Sequence, residues 1–79
     1  MEDVNLVQMR SGEEGIVVAI HGGFGSRRRA ESLGIRVGVS IKKISAQFMR
    51  GPIIVQVGNT TIALGFGIAQ KIVVRKRLG

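Results

Sequence analysis

Pro52-Ile53-Ile54-Val55-Gln56-Val57-Gly58-Asn59-Thr60-Thr61-Ile62-Ala63-Leu64 reads as two strands folded back on one another. Proline has no N–H to give to a ladder, so within a sheet it suits the first position of a strand, and it opens this one. Ile53, Val55 and Val57 point one way along the first strand, and Ile62 and Leu64 point inward from the second. Only Gly58 and Asn59 separate the two runs, a two-residue connection of the kind that antiparallel hairpins use.

The same period of two recurs on both sides of the hairpin. Upstream, a strand is expected from Val39 to about Ala46, where Val39 and Ile41 alternate until Lys42-Lys43 places two charges in succession before Ile44. That slip of phase predicts a β-bulge. Earlier still, Ile16, Val18 and Ile20 form a fully apolar face, while Val17, Ala19 and His21 form a mixed one. Gly12 and Gly15 bracket Glu13-Glu14 in a turn that leads there from a first segment, Leu6 to Met9. Downstream, Gly65-Phe66-Gly67-Ile68-Ala69 makes a tight connection to a last strand, Ile72 to Arg75, in which Ile72 and Val74 share a face. One helix interrupts the strands. Ser26 is its expected N-cap, Ala30 and Leu33 lie one turn apart, and Gly34 is its left-handed stop. The fold class is therefore all-β, a small barrel of five to six short strands with one short inserted helix.

At 79 residues the chain has room for one domain, taken as 1–79, because a chain of this size buries only about 60% of its unfolded surface. It holds no cysteine and a single histidine, so disulfides and the usual zinc cages are not available to staple it. The acidic start, Met1-Glu2-Asp3, lacks the basic beginning and apolar run of a secretory signal. Apolar runs such as Ile16 to Ile20 fall far short of the roughly 20 residues a membrane helix needs. A cytoplasmic location is the expectation. Twelve Lys and Arg against five Asp and Glu give a net charge of +7, which favours an acidic partner: a protein face, nucleic acid or anionic lipid.

Chemistry-bearing arrangements are sparse. Without a cysteine, a second histidine or a convincing carboxylate pair, no nucleophile–base or acid–base constellation can be assembled, and no catalytic residue is assigned. Gly22-Gly23-Phe24-Gly25-Ser26 between strand and helix has the local look of a phosphate cradle, but no Gly-Lys-Ser/Thr ending follows and the three-glycine spacing fails at Arg28. His21 with Glu13 and Glu14 lacks ligand spacing, so no metal or cofactor site is assigned. Arg27, Arg28 and Arg29 are expected in the first helical turn, where the macrodipole disfavours cations. Such a local conflict marks either contact with an acidic partner or a solvated face relieved by Glu31. The candidate partner surface therefore runs from Gly22 to Arg29, with Arg36 beside it. Phe24 either belongs to that surface or, like Phe66, plugs the core beside its glycines. Phe48-Met49-Arg50 offers a loop contact to nucleic acid, or Phe48 closes one barrel end.

Taken in order, Leu6-x-x-Met9-x-x-Gly12-x-x-Gly15, Leu33-Gly34-Ile35-x-x-Gly38, Gly51-Pro52-Ile53, Ile62-Ala63-Leu64 and Ala69-x-x-Ile72-x-Val74 resemble the FeoA family over nearly the whole chain. The resemblance implies an SH3-like barrel without chemistry of its own, a cytoplasmic accessory of ferrous iron transport acting on the membrane transporter FeoB and its GTP-binding domain. Two positions depart from the family pattern, Ala30 where leucine is usual and Val37 where proline is common before Gly38, and both stay apolar. A related barrel occurs in iron-dependent repressors of the DtxR kind, but nothing here resembles their DNA-reading part.

Overall fold

The computed structural model describes residues 2–47 and 49–77. In chain order these form β1 (Asp3–Asn5), β2 (Glu14–Ile20), α1 (Gly23–Ser32), β3 (Ser40–Ala46), β4 (Ile53–Val57), β5 (Thr60–Leu64), α2 (Phe66–Ala69) and β6 (Ile72–Lys76). The six strands make one antiparallel sheet in the order β1-β6-β2-β3-β4-β5. Val4 on one end strand and Leu64 on the other pack on the same core as Val17, Ile41, Val55, Ile72 and Val74, so the sheet curls around a single interior.

The β4–β5 hairpin pairs Val57 with Thr60 across Gly58-Asn59, and Gly58 stands at φ +60, the backbone a two-residue turn asks of its first central residue. Ile53, Val55 and Leu64 are buried, and Ile62 packs against the core at its edge.

Both long strands carry a bulge, and each decides which side chains face inward. On β3 the register with β4 slips between Lys43 and Ser45, leaving Ile44 as the extra residue. Ile41 and Lys43 point inward and Ile44 outward, so a lysine takes the core position. On β2 the register with β6 slips between Val17 and Ala19. Before this bulge the buried residues are Gly15 and Val17, with Ile16 turned to solvent; after it Ile20, opposite Ile72, packs on the core. The uninterrupted apolar face of Ile16, Val18 and Ile20 expected from alternation is thus broken, because one extra residue reverses the parity of everything beyond it.

The first segment differs as well. Asp3–Asn5 forms an edge strand on β6, while Leu6 to Met9 makes a turn that buries Leu6 and Met9. Asn5 and Gln8 close that turn reciprocally: each backbone N–H donates to the other's side-chain oxygen, at 3.0 and 2.9 Å. The tight connection after β5 is a single helical turn, α2, so the sheet carries two helical pieces rather than one.

Helix α1 starts at Gly23, three residues before the expected cap at Ser26, and enters through Gly22 and Gly23, both at positive φ. The arginine triplet therefore lies beyond the first turn, and Arg29 falls in the last, where the dipole favours a cation. The conflict inferred from the sequence disappears. At the other end Gly34, at φ +89, stops the helix, and the Ile35 N–H reaches the Ala30 carbonyl at 2.9 Å. Ile35 is buried and Leu33 is 38% exposed, so the apolar contact beyond the helix is made by Ile35.

Candidate functional site

Ala30 is the one fully buried residue of α1, so nearly the whole helix is surface. Its exposed side chains fall on two flanks. On one, Phe24 is 75% exposed, with the Arg28 guanidinium 5.6 Å from its ring centroid, a cation–π distance. Phe24 is therefore no core plug. Arg27 joins Phe24, Gly23 and Ile20 around a shallow hollow of about 320 Å³.

The other flank faces the α2–β6 corner across an open groove of about 580 Å³. From α1 come Gly25, Ser26 and Arg29; from the far wall come Gly65, Gly67, Ile68 and Lys71. The Lys71 ammonium spans the groove and donates to Ser26 Oγ at 3.3 Å. The two Gly-Phe-Gly segments, 23–25 and 65–67, thus contribute to opposite walls of one cleft. Across the second of these, Arg50 lies 5.3 Å over the Phe66 ring, which is half-buried.

The structure accordingly divides the residues singled out from sequence. Phe24, Arg27 and Arg28 meet on one flank of α1, Arg29 belongs to the groove, and Arg36 stands exposed in the connection to β3. His21 is exposed where β2 ends, its N–H donating to the Lys71 carbonyl at 2.7 Å. No three of the described histidine and acidic residues lie together as a metal set. The possible contact at Phe48 lies outside the described residues. Lys71 and the 65–67 glycines escaped the sequence reading; the repeated Gly-Phe-Gly was their only signal, and spacing alone cannot show that two distant copies face each other.

Charge is segregated along the molecule. Of the five acids, Glu2, Asp3, Glu13 and Glu14 pair with Arg75, Lys76 and Arg77 at one end of the sheet. Arg75 Nε meets Asp3 at 2.9 Å, and this hydrogen bond holds the Asp3 carboxyl below its ordinary range. Among the described residues Arg27, Arg28, Arg29, Arg36 and Lys71 have no such ion pair, and Glu31 is the one acid on the α1 side. Cations, one hydroxyl and one bare aromatic ring are a set that complements an acidic ligand.

The family model described as "FeoA domain" matches residues 4–76. The chain belongs to the FeoA family. A curated relative from Methanocaldococcus jannaschii (strain ATCC 43067 / DSM 2661 / JAL-1 / JCM 10045 / NBRC 100440), named "Putative Fe(2+) transport protein A", is 42% identical over 65 residues, which are 82% of this chain and 77% of that one. Among solved structures, an iron uptake regulatory protein (FeoA) superposes with a TM-score of 0.89 at 38% identity, covering 98% of this chain and 100% of its own. A FeoA from Stenotrophomonas maltophilia complexed with zinc, a prokaryotic SH3 domain protein, gives a TM-score of 0.75 at 25% identity over 91% of this chain and 89% of that one. The same fold occupies 42% of a manganese-dependent transcriptional repressor, with a TM-score of 0.86 at 26% identity over 95% of this chain. The curled sheet is thus an SH3-like barrel, and the FeoA family to which it belongs is an accessory of Fe(2+) transport.

Proposed function

We propose that the chain acts as one non-enzymatic domain in the cytoplasm, docking onto the cytoplasmic part of the ferrous iron transporter FeoB. Phe24, Arg27 and Arg28 form the centre of the contact, with Arg29 and Arg36 at its sides. One observation carries this reading: acids neutralise the cations at the β1–β6 end, while among the described residues the exposed arginines of α1 have no ion pair and lie beside an exposed phenyl ring. Aromatic residues, phenylalanine among them, and arginine are enriched in protein interfaces. The cations add steering toward an acidic face.

Calorimetric titration of the purified chain with the GTP-binding domain of FeoB tests the proposal. Phe24→Ala, and Arg27→Gln combined with Arg28→Gln, are each expected to weaken binding about tenfold or more, as truncation of a hot spot does. Their melting temperatures should stay near that of the parent, because these side chains are solvent-exposed. Arg36→Gln is expected to have a smaller effect that grows at low salt. Unchanged affinity in both of the first two variants would remove α1 from the interface.

The excess of cations on the α1 side also supports a nucleic-acid reading. Its signature is affinity for a generic oligonucleotide that falls steeply between 50 and 200 mM salt, as counterions are released on binding. Micromolar binding at physiological salt would favour it over FeoB.

A further inference from the structure

We infer that the groove between α1 and the α2–β6 corner seats an extended acidic segment of the protein partner, with Arg29 and Lys71 pairing its carboxylates and the bare glycine backbone lying against its main chain. The inference rests on the docking reading above and assigns a distinct site and ligand chemistry within it.

The charge of the groove points to an anion. Arg29 and Lys71 line it, no acid does, and neither cation has an ion-pair partner among the described residues. Among the described residues the Lys71 ammonium has one hydrogen bond, a long one to Ser26 Oγ at 3.3 Å. A concave wall carrying one sign of charge focuses the field and gathers ligands of the other. At about 580 Å³ the space falls within the range of ligand-binding clefts.

The glycines indicate the shape of that ligand. Gly22 is required by the fold, since it stands at φ +91 and a Cβ there would lie 2.6 Å from Ser26 Oγ. Gly25, Gly65 and Gly67 are not required: none has a left-handed φ, and a Cβ built on any of them meets nothing within 4 Å. Glycine inside a helix is costly relative to alanine, yet Gly25 sits in α1 and Gly67 in α2. What the three share is the groove, which methyl groups at these positions would narrow from both walls. A compact ion such as phosphate needs only Ser26, Arg29 and Lys71. Close approach along two glycine walls suits a peptide main chain, and its carboxylates complement the cations.

The test uses alanine where stability and binding should move in opposite directions. Gly25→Ala and Gly67→Ala are expected to raise the melting temperature by roughly 2–5 °C and to weaken binding of the FeoB GTP-binding domain about tenfold. Lys71→Gln should weaken it similarly without the stabilisation. In parallel, amide chemical shifts of the parent chain are followed while an Asp/Glu-rich octapeptide or inorganic phosphate is added. The peptide should move the Gly25, Gly65, Gly67 and Lys71 resonances, and phosphate should displace it only weakly. A fall in melting temperature in both alanine variants would show that the fold needs these glycines, and would overturn the inference. So would peptide-silent resonances, or a response to phosphate alone. If Phe24→Ala weakens FeoB binding while the alanine variants do not, docking through α1 stands and the groove is excluded. If the parent chain does not bind FeoB, the docking reading falls, and the peptide titration still decides the groove.

Discussion

The ammonium of Lys43 donates to the backbone carbonyl of Met9 at 2.6 Å, inside the barrel and 34 residues away along the chain. A second hydrogen bond reaches the Val7 carbonyl at 3.1 Å, and Lys43 is 3% exposed. Its aliphatic stem occupies the inward position opposite Val55, between apolar neighbours, while its head satisfies carbonyls that the 6–9 turn carries into the interior. Backbone bonds reinforce the tie: the Gly12 N–H donates to the Lys43 carbonyl at 2.7 Å, and the Lys43 N–H to the Glu13 carbonyl at 2.9 Å.

Replacing Lys43 therefore removes hydrogen bonds more than charge. Lys43→Met keeps most of the volume but leaves two inward carbonyls without this donor, at an expected cost of about 1–3 kcal/mol. Lys43→Ala adds a cavity, and its cost should rise to about 2–5 kcal/mol. Urea unfolding of the two variants checks the order. Equal stability of Lys43→Met and the parent would mean that solvent reaches these carbonyls.

Stability should rise with pH through the carboxylate range, while at the alkaline end two lysines act in opposite senses. Burial pushes the Lys43 ammonium below its ordinary value of 10.5, against the pull of Glu13. Between its lowered folded value and 10.5 the unfolded chain binds the proton more readily, so stability rises with pH across that window. The rise should vanish in Lys43→Met. Lys76 behaves in the reverse sense: hydrogen bonds to Glu2 and then Glu13 raise its value above 10.5, and its contribution, complete below 10.5, is lost as pH climbs through the raised value. On the acid side, Asp3 is held below 3.8 chiefly by its hydrogen bond from Arg75, and Glu13 below 4.5 chiefly by the Arg10 N–H. Their contributions are complete above those ordinary values and are lost as pH falls through the lowered ones. Urea midpoints measured from pH 2 to 11 should show the acid limb, which Asp3→Asn should flatten, and in Lys43→Met only the alkaline fall due to Lys76 should remain.

The elements read most directly from sequence are those whose alternation is uninterrupted. The β4–β5 hairpin has no bulge, so Ile53, Val55 and Leu64 lie where a period of two puts them. Succession of charges at Lys42-Lys43 signals a bulge in β3, but hydropathy gives the inward position to an isoleucine, whereas a lysine long enough to cross the core takes it. In β2 all of residues 16–20 are apolar, so nothing in the pattern marks Val18 as the extra residue. Glycines hid the start of α1, since four of the five residues from 22 to 26, Gly22, Gly23, Gly25 and Ser26, carry no apolar helical signal. Asp3-Val4-Asn5 is too short to establish a period; it becomes a strand because β6 offers an edge and Arg75 offers Asp3 an ion pair. The groove was least legible, being built from segments some 40 residues apart.

Gly15 should be the least replaceable glycine of the sheet. It lies between β3 and β6, opposite Ile41 and Lys76, and a Cβ there falls among the Arg75 carbonyl and Val74 Cγ1, the latter 2.7 Å away. Main chain in the middle of a sheet cannot move aside as a surface side chain can. Gly15→Ala is expected to cost about 1–3 kcal/mol through overpacking, seen as a fall in urea midpoint. A neutral outcome would require β2 and β6 to separate locally, which loss of protection at the Arg77 amide, bonded to the Glu14 carbonyl, would reveal.

The β3–β4 connection holds two successive non-glycine residues in left-handed backbone, Met49 and Arg50, each at φ 61. Such conformations cost roughly 1–2 kcal/mol for a residue with a Cβ. The two differ in what they return. Met49 is 95% exposed, so its side chain offsets little of that strain, whereas Arg50 lies over the Phe66 ring at 5.3 Å, a contact worth about 0.5–1 kcal/mol at a surface site. Met49→Gly should therefore stabilise the chain by about 0.5–1 kcal/mol, the relief of strain exceeding the added entropy of the unfolded glycine. Arg50→Gly should be close to neutral, because the lost cation–π contact cancels the same relief. Thermal unfolding of the two variants separates these outcomes: if Met49→Gly melts at or below the parent temperature, the methionine side chain holds the loop in place.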